Sequence, residues 1–341
     1  MKKKRFIKYL VILIVALVLA WYPTGYYCVF PGEALNLSDV VKGGRYQPED
    51  SFHMTTVTMI RANLPVLLYG YVNASARVAP EEDVLPQGWK VDEYNQYTKY
   101  QMQNSHNNAK EASAKWLNIP ISEIPGRVRT LRIIDGQASD GILESQDIIM
   151  AVNGFEVNSV SKAVEQLSQY SPGQTIELQI ERNSEVKVVS LVLGAHPEDS
   201  SRAFIGVTLI NDERLVEYAG ENKITIETGR ISGPSAGLML TLEIINKMTE
   251  IDLASGQKIA GTGTIDASGK VGTIGGINQK LIAARRQGME IFFIPQDNVD
   301  DIIIDEKKYE GMKLVPVETL EDALNYLYDN QRVAEILPVA V

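Results

Sequence analysis

Ile224-Thr225-Ile226-Glu227-Thr228-Gly229-Arg230-Ile231-Ser232-Gly233-Pro234-Ser235-Ala236-Gly237 is the stretch on which the reading of this chain turns. Its first five residues alternate as a half-buried strand does. Glycine, serine and proline then interrupt the pattern, and an apolar helix is predicted from Ala236 to about Thr249. Pro234 suits the first helical position, because its missing N–H would have no partner there. Ser235 is therefore expected in the first helical turn, where free amides and the positive end of the helix dipole can stabilise an oxyanion. Gly233, Ala236 and Gly237 are the candidates for that contact and for close approach of a substrate backbone. A serine at a helix start is most often only a cap, so position alone does not separate a cap from a nucleophile.

A second element bears on that choice. Ile274-Gly275-Gly276 opens another predicted helix, Ile277 to Gln287, which Gly288 would terminate. Ile277, Leu281 and Ala284 mark its buried face by their three- and four-residue spacing. Lys280 shares that face, whereas Gln279, Arg285 and Arg286 are expected in solvent. An inward lysine must snorkel, find a partner or lose its proton. Desolvation lowers a lysine pKa by up to about 3–5 units, which would make Lys280 a base able to take a serine proton. Periodicity by itself leaves the snorkelling alternative open.

Taken in order, Gly233-Pro234-Ser235-Ala236-Gly237, Thr262-Gly263-Thr264-Ile265, Gly269-Lys270-Val271, Ile274-Gly275-Gly276, Lys280 and Ala283-Ala284 resemble the proteolytic domain of Lon-type proteases. The resemblance spans roughly Ile224 to Pro295. It implies an α/β (α+β) protease fold, Ser235 as nucleophile, Lys280 as its dyad base, and Thr262 as the hydroxyl that helps hold the lysine. Thr264 departs from the glutamate common at that place in the family. Gly263 to Lys270 is a poor phosphate loop: five residues separate its glycines and Val271 replaces the required Ser or Thr, so a strand-turn-strand is expected instead. With no other phosphate-binding pattern, ATP-independent proteolysis is implied, and substrates already extended: peptides, or segments of unfolded protein. No cofactor is implied.

Val128 to Leu193 has a different rhythm. Strands are predicted at Val128–Ile134 and around Ile148–Val152, the latter closed by an Asn153-Gly154 turn. A helix over Ser161–Tyr170 follows, then Ser171-Pro172-Gly173, then strands over Thr175–Arg182 and Val186–Leu193. This mixed β/α unit resembles a bacterial PDZ domain, inserted into the protease domain. Gln146 stands where the family usually has glycine, and the carboxylate-binding loop is placed only loosely, around Pro125–Val128. Such a domain would capture peptides by strand addition; a purely structural spacer is the alternative.

Lys2, Lys3, Lys4, Arg5 and Lys8 lead into an uncharged stretch from Tyr9 to Gly32, with Trp21, Tyr22, Tyr26 and Tyr27 at its far end. A membrane span needs about 20 apolar residues. Phe6 and Ile7 would extend the run while Lys8 snorkels, giving an N-terminal transmembrane helix with the amino terminus cytoplasmic and the body outside. Cleavage as a signal peptide after Ala20 is the rival. An anchor, a PDZ-like insert and a Lon-type end without an ATPase resemble the SepM-type pheromone-processing peptidases of Gram-positive bacteria.

The 341 residues suggest more than one domain. The expected division is an anchor over 1–30, the N-terminal part of the protease domain with a helical insert over 31–118, the PDZ-like domain over 119–198 and the catalytic domain over 199–341. Between these landmarks Phe52–Val72 is expected to be extended, Pro80–Gly88 a loop, and Val91–Leu117 a polar helix. Near the end, Ile291–Ile294 reads as a buried strand and Val317–Leu327 as a closing helix. The formal charge of −10 opposes nucleic-acid binding. Three scattered histidines and one cysteine offer no metal set, no intramolecular disulfide and little basis for a Ser-His-Asp site. The expectation is a membrane-anchored extracytoplasmic serine endopeptidase, possessing peptide and membrane partners; the alternative is a catalytically idle, membrane-tethered peptide-binding scaffold. Oligomeric state is not legible.

Overall fold

The computed structural model describes residues 2–49, 51–212, 214–219, 223–303 and 311–336. The chain opens with α1 (Lys2–Trp21), β1 (Pro23–Asn36), β2 (Val41–Gly43) and β3 (His53–Asn63). Then come α2 (Leu64–Val72), β4 (Arg77–Pro80), α3 (Glu81–Val84) and the long α4 (Val91–Leu117). A run of strands follows: β5 (Ile121–Ile124), β6 (Arg127–Ile133), β7 (Ile148–Val152) and β8 (Phe155–Glu156). After α5 (Val160–Leu167) lie β9 (Thr175–Arg182), β10 (Glu185–Val192), β11 (Gly194–His196), β12 (Asp199–Phe204), β13 (Val207–Asp212) and β14 (Leu215–Tyr218). The last part comprises β15 (Ile224–Ile226), α6 (Gly237–Met248), β16 (Ile259–Gly261), β17 (Thr264–Ile265), β18 (Val271–Gly272), α7 (Ile277–Arg286), β19 (Ile291–Pro295), β20 (Lys313–Val317) and α8 (Leu320–Ile336).

One sheet joins both ends of the chain, in the order β20-β19-β16-β3-β1-β4. Side chains alternate across it as a strand requires. Phe293 enters a core with α4, α6 and α8, while its neighbour Phe292 enters a second core with Ile277, Leu281 and Ala284 of α7. The helices α6 and α7 therefore lie on opposite faces. Every residue of α6 is buried, so it is a core helix rather than an amphipathic one. A second sheet, β10-β9-β7-β6-β13, with α5 against it, encloses its own core. Arg182 grips buried Asp147 through two hydrogen bonds, Nε to Oδ1 at 2.8 Å and Nη2 to Oδ2 at 2.7 Å. That fork–fork geometry ties β9 to the start of β7.

The fold departs from the sequence reading in several places, one being that β13, expected within the catalytic domain over 199–341, belongs to the second sheet. Phe52–Val72 is not extended throughout, because Asn63 accepts the Val66 amide and Pro65 sits at the helix start, so the chain turns into α2. Val317 ends a strand; the closing helix begins at Leu320. Pro80–Gly88 contains the end of β4 and the short α3. No described helix is long and apolar enough to cross a membrane. The uncharged stretch is divided: α1 stops at Trp21 and the remainder enters β1, leaving Tyr9–Trp21 as the uncharged part of the helix. At 1.5 Å per residue that part is about 20 Å long, short of a hydrocarbon core of about 30 Å.

Candidate active site

Beyond the end of β16 the two faces of the sheet meet. The chain leaves β16 at Gly261, and Thr262 and Gly263 bind the main chain of Ser235: the Gly263 amide donates to the Ser235 carbonyl at 2.9 Å and Thr262 Oγ1 at 3.0 Å. From the opposite face α7 sends in Lys280. Its Nζ lies 2.7 Å from Ser235 Oγ and 2.9 Å from Thr262 Oγ1. Lys280 is 2% exposed, so it does not snorkel, and burial alone lowers its pKa from 10.5 to about 7. The structure thus brings Ser235, Lys280 and Thr262 into one hydrogen-bonded cluster.

The surrounding candidates divide. Ser235 occupies the turn just before α6, which starts at Gly237, one residue later than expected. The Gly233 amide is taken, donating to the Thr98 carbonyl at 2.8 Å. Gly233 itself, at φ +91° with open space around its α-carbon, still permits close approach of another chain. Among the described residues the Ser235 and Ala236 amides donate to nothing, so both remain candidates for an oxyanion contact. Gly237 is buried against the protein: a Cβ there would meet Ile265 Cγ2 at 2.9 Å and Ser105 Oγ at 3.0 Å. It serves packing rather than substrate approach. Gln279, expected in solvent, is buried beside Lys280.

The site opens into a groove of about 890 Å³ that reaches from Ser235 and Lys280 along β3. One wall is β3 between Thr55 and Met59. Because β16 pairs with β3 only at His53 and Met54, no described strand covers that edge further on. The other wall is α4, through Tyr94, Thr98 and Met102. Sequence patterning gave no sign of this role, since α4 lies far from the serine motif in the chain. It is fixed by Ser105 Oγ donating to the Pro234 carbonyl at 3.2 Å and by Asn108 donating to the Ile265 carbonyl at 2.9 Å.

In the second sheet the expected Pro125–Val128 loop is misplaced. Val128 faces Ile149 of β7 on one side and Asn211 of β13 on the other, so neither edge is open to a ligand. The open edge beside α5 is β13, where the Val160 amide donates to Asn211 Oδ1 at 2.6 Å. Phe204-Ile205-Gly206-Val207 leads into it, with Gly206 at φ +78° and the Ile205 and Gly206 amides donating to nothing among the described residues. Its sequence signal is an apolar-apolar-Gly-apolar run, which follows the hairpin instead of preceding the first strand. The site contains no described group of metal-binding side chains.

Residues 213–329 match the family model of the Lon protease (S16) C-terminal proteolytic domain, and residues 102–193 match that of the PDZ domain. An archaeal Lon protease of Methanocaldococcus jannaschii is 38% identical over 100 residues, covering 29% of this chain and 14% of that protein. Lon protease of Acinetobacter baumannii is 41% identical over 93 residues, covering 27% and 11%. The chain thus spans a small fraction of the length of these curated relatives. The PDZ domain of an SdrC-like protein from Listeria innocua aligns with 24% of this chain and 92% of its own, at 19% identity and a TM-score of 0.23. The C-terminal part of this protein is a Lon-type proteolytic domain, of the class of serine proteases that use a serine–lysine dyad, and a PDZ domain precedes it in the same chain.

Proposed function

We propose that this chain is an ATP-independent serine endopeptidase in which Ser235 is the nucleophile and Lys280 the general base. The observation that carries the reading is the 2.7 Å approach of a buried Lys280 amine to Ser235 Oγ. An amine titrating near 7 is neutral often enough to accept the serine proton. As Oγ bonds to the scissile carbonyl carbon, its proton passes to Lys280, whose remaining N–H stays directed at Thr262 Oγ1. The developing oxyanion lies toward the Ser235 and Ala236 amides. Collapse breaks the C–N bond and Lys280 returns the proton to the leaving amine. Water, deprotonated by Lys280, then releases the acyl group and regenerates Ser235.

The substrate in this proposal is an extended peptide or an exposed protein segment laid along the uncovered edge of β3. The PDZ domain guides or gates its arrival. The chain is held at the membrane through α1, in which Phe6 and Ile7 lengthen the apolar run while Lys8 reaches the headgroups, and the body lies outside the cytoplasm. The support is the basic-then-apolar order of residues 2–21 and the aromatic residues that follow. A tethered, ATP-independent peptidase suits a small exported peptide, such as a signalling peptide.

Peptide cleavage by the full chain in detergent or vesicles, compared with Ser235→Ala and Lys280→Ala, tests the chemistry. Activity undiminished in both variants would remove the dyad. Comparing extracellular peptides from cells carrying wild-type protein and Ser235→Ala identifies the substrate. Digestion of intact cells by an external protease tests the side of the membrane, because a body outside is cut without lysis.

A further inference from the structure

The helix α2 has an apolar face that no described residue covers. Its nine residues, Leu64–Val72, include no charge. One side of the helix is fixed inward: a Cβ at Gly70 would lie 2.6 Å from Cys28 Sγ, so the helix rests directly on β1. Leu64, Leu68, Tyr71 and Val72 recur at helical spacing and are exposed, Leu68 at 60% and Val72 at 81%. Soluble surfaces rarely gather large apolar groups in this way without a partner.

The position of this face indicates the partner. Pro23 at the start of β1 lies opposite Asn63, the cap of α2. The end of α1 at Trp21 and the start of α2 at Leu64 are therefore neighbours at one end of the sheet, and α1 packs on both α2 and β3. Exposed Trp21 ends α1, exposed Tyr22 joins it to β1, and exposed Tyr69 lies on α2. Trp and Tyr favour the boundary between lipid and water, where a ring is buried and its polar tip remains wet. Along α1 itself Phe6, Leu10, Val11, Ile14 and Val18 are exposed as well. A second copy seated on α2 would leave that length of α1 uncovered, whereas one lipid surface covers both.

We infer that α2 is a second membrane contact, lying in the headgroup–acyl boundary beside the root of α1 and setting the orientation of the catalytic body against the bilayer. The inference rests on the membrane-anchoring reading of α1 given above. Burial of apolar surface drives the contact, since α2 carries no cation to attract anionic headgroups; it therefore persists at high salt.

An environment-sensitive fluorophore on a single introduced thiol tests it in the full chain reconstituted in phosphatidylcholine vesicles. The probe is placed by Leu68→Cys, by Val11→Cys in α1, or by Glu185→Cys on the far sheet. Cys28 is fully buried and stays in place, with wild-type protein as the labelling control. At Leu68 the expected result is blue-shifted emission and quenching by headgroup-proximal spin-labelled lipid, several-fold stronger than at Glu185 and unchanged by high salt. A Leu68 probe as wet as the Glu185 probe, with Val11 in lipid, overturns the α2 contact and leaves anchoring intact. A Val11 probe untouched by any lipid quencher overturns anchoring itself and the inference with it. Blue-shifted but unquenched emission at Leu68 means that protein covers the face, and also overturns the proposal.

Discussion

Among the described residues Lys280 has no countercharge: burial is the cause of its lowered pKa, and its hydrogen-bond partners are two hydroxyls. Two consequences have definite signs. In the proposed mechanism the base must be neutral, so kcat/KM for peptide cleavage is expected to rise with pH and level off above about 7. Lys280→Arg should be inactive across the whole range, because a guanidinium keeps its proton. For stability, the folded pKa is below the unfolded one, so the unfolded chain binds more protons between about 7 and 10.5. The cost of Lys280 is fully present below that window and fades as pH rises through it, by about 1.4 kcal/mol per pH unit at most. Lys280→Met should remove this slope, as measured by denaturant unfolding at several pH values. A different residue gives the opposite kind of test. Gln146 holds φ +78°, a conformation that suits glycine, in an exposed turn. Gln146→Gly is expected to raise stability by about 1 kcal/mol, seen as a higher unfolding midpoint, since a side chain there costs about 1–2 kcal/mol.

At the scale of elements, the start of α6 is fitted to its surroundings by Gly237. Gly237→Ala forces a methyl into Ile265 and Ser105, and overpacking of this sort costs about 1–3 kcal/mol. Because the shift moves the turn that carries Ser235, a fall in kcat should accompany the lower melting temperature. In the second sheet, Asp147 is 1% exposed and depends on the Arg182 fork. Arg182→Met leaves that carboxylate buried without its guanidinium partner, and a loss of about 3–5 kcal/mol is expected from thermal or denaturant unfolding. The pairing of β9 with β7 should be the first to lose hydrogen-exchange protection. Elements such as these were largely readable in advance. β9 was expected over Thr175–Arg182 and α4 over Val91–Leu117, and both have those bounds, because period-two alternation and helix-forming composition are local signals. α2 was not readable as a helix: its apolar run has no helical stripe of polar residues, and only the Asn63–Pro65 cap betrays it.

Across the whole molecule, α4 links the two sheets to the serine turn. Asn107 on this helix holds both sides of one segment, donating to the Arg214 carbonyl at 2.9 Å and accepting the Val216 amide at 3.2 Å. Ser105 and Thr98, on the same helix, hold the main chain around Pro234 and Gly233. The sequence by itself determined elements such as β9 and α4, the ordered serine, threonine and lysine motifs, and the inward face on which Lys280 lies. Those features follow from residue spacing, capping chemistry and motif order over a few neighbours. Only the tertiary structure decided that Lys280 is buried rather than snorkelling and that the Gly233 amide is already occupied. It also decided that β13, not β6, offers the open edge, and that α4 walls the groove. Each of these depends on which surfaces pack together. The pairing of Ser235 with Lys280 is the plainest case: the turn before α6 and the helix α7 lie on opposite faces of one sheet, and the two side chains meet only because β16 ends between them and lets Thr262 bridge the gap.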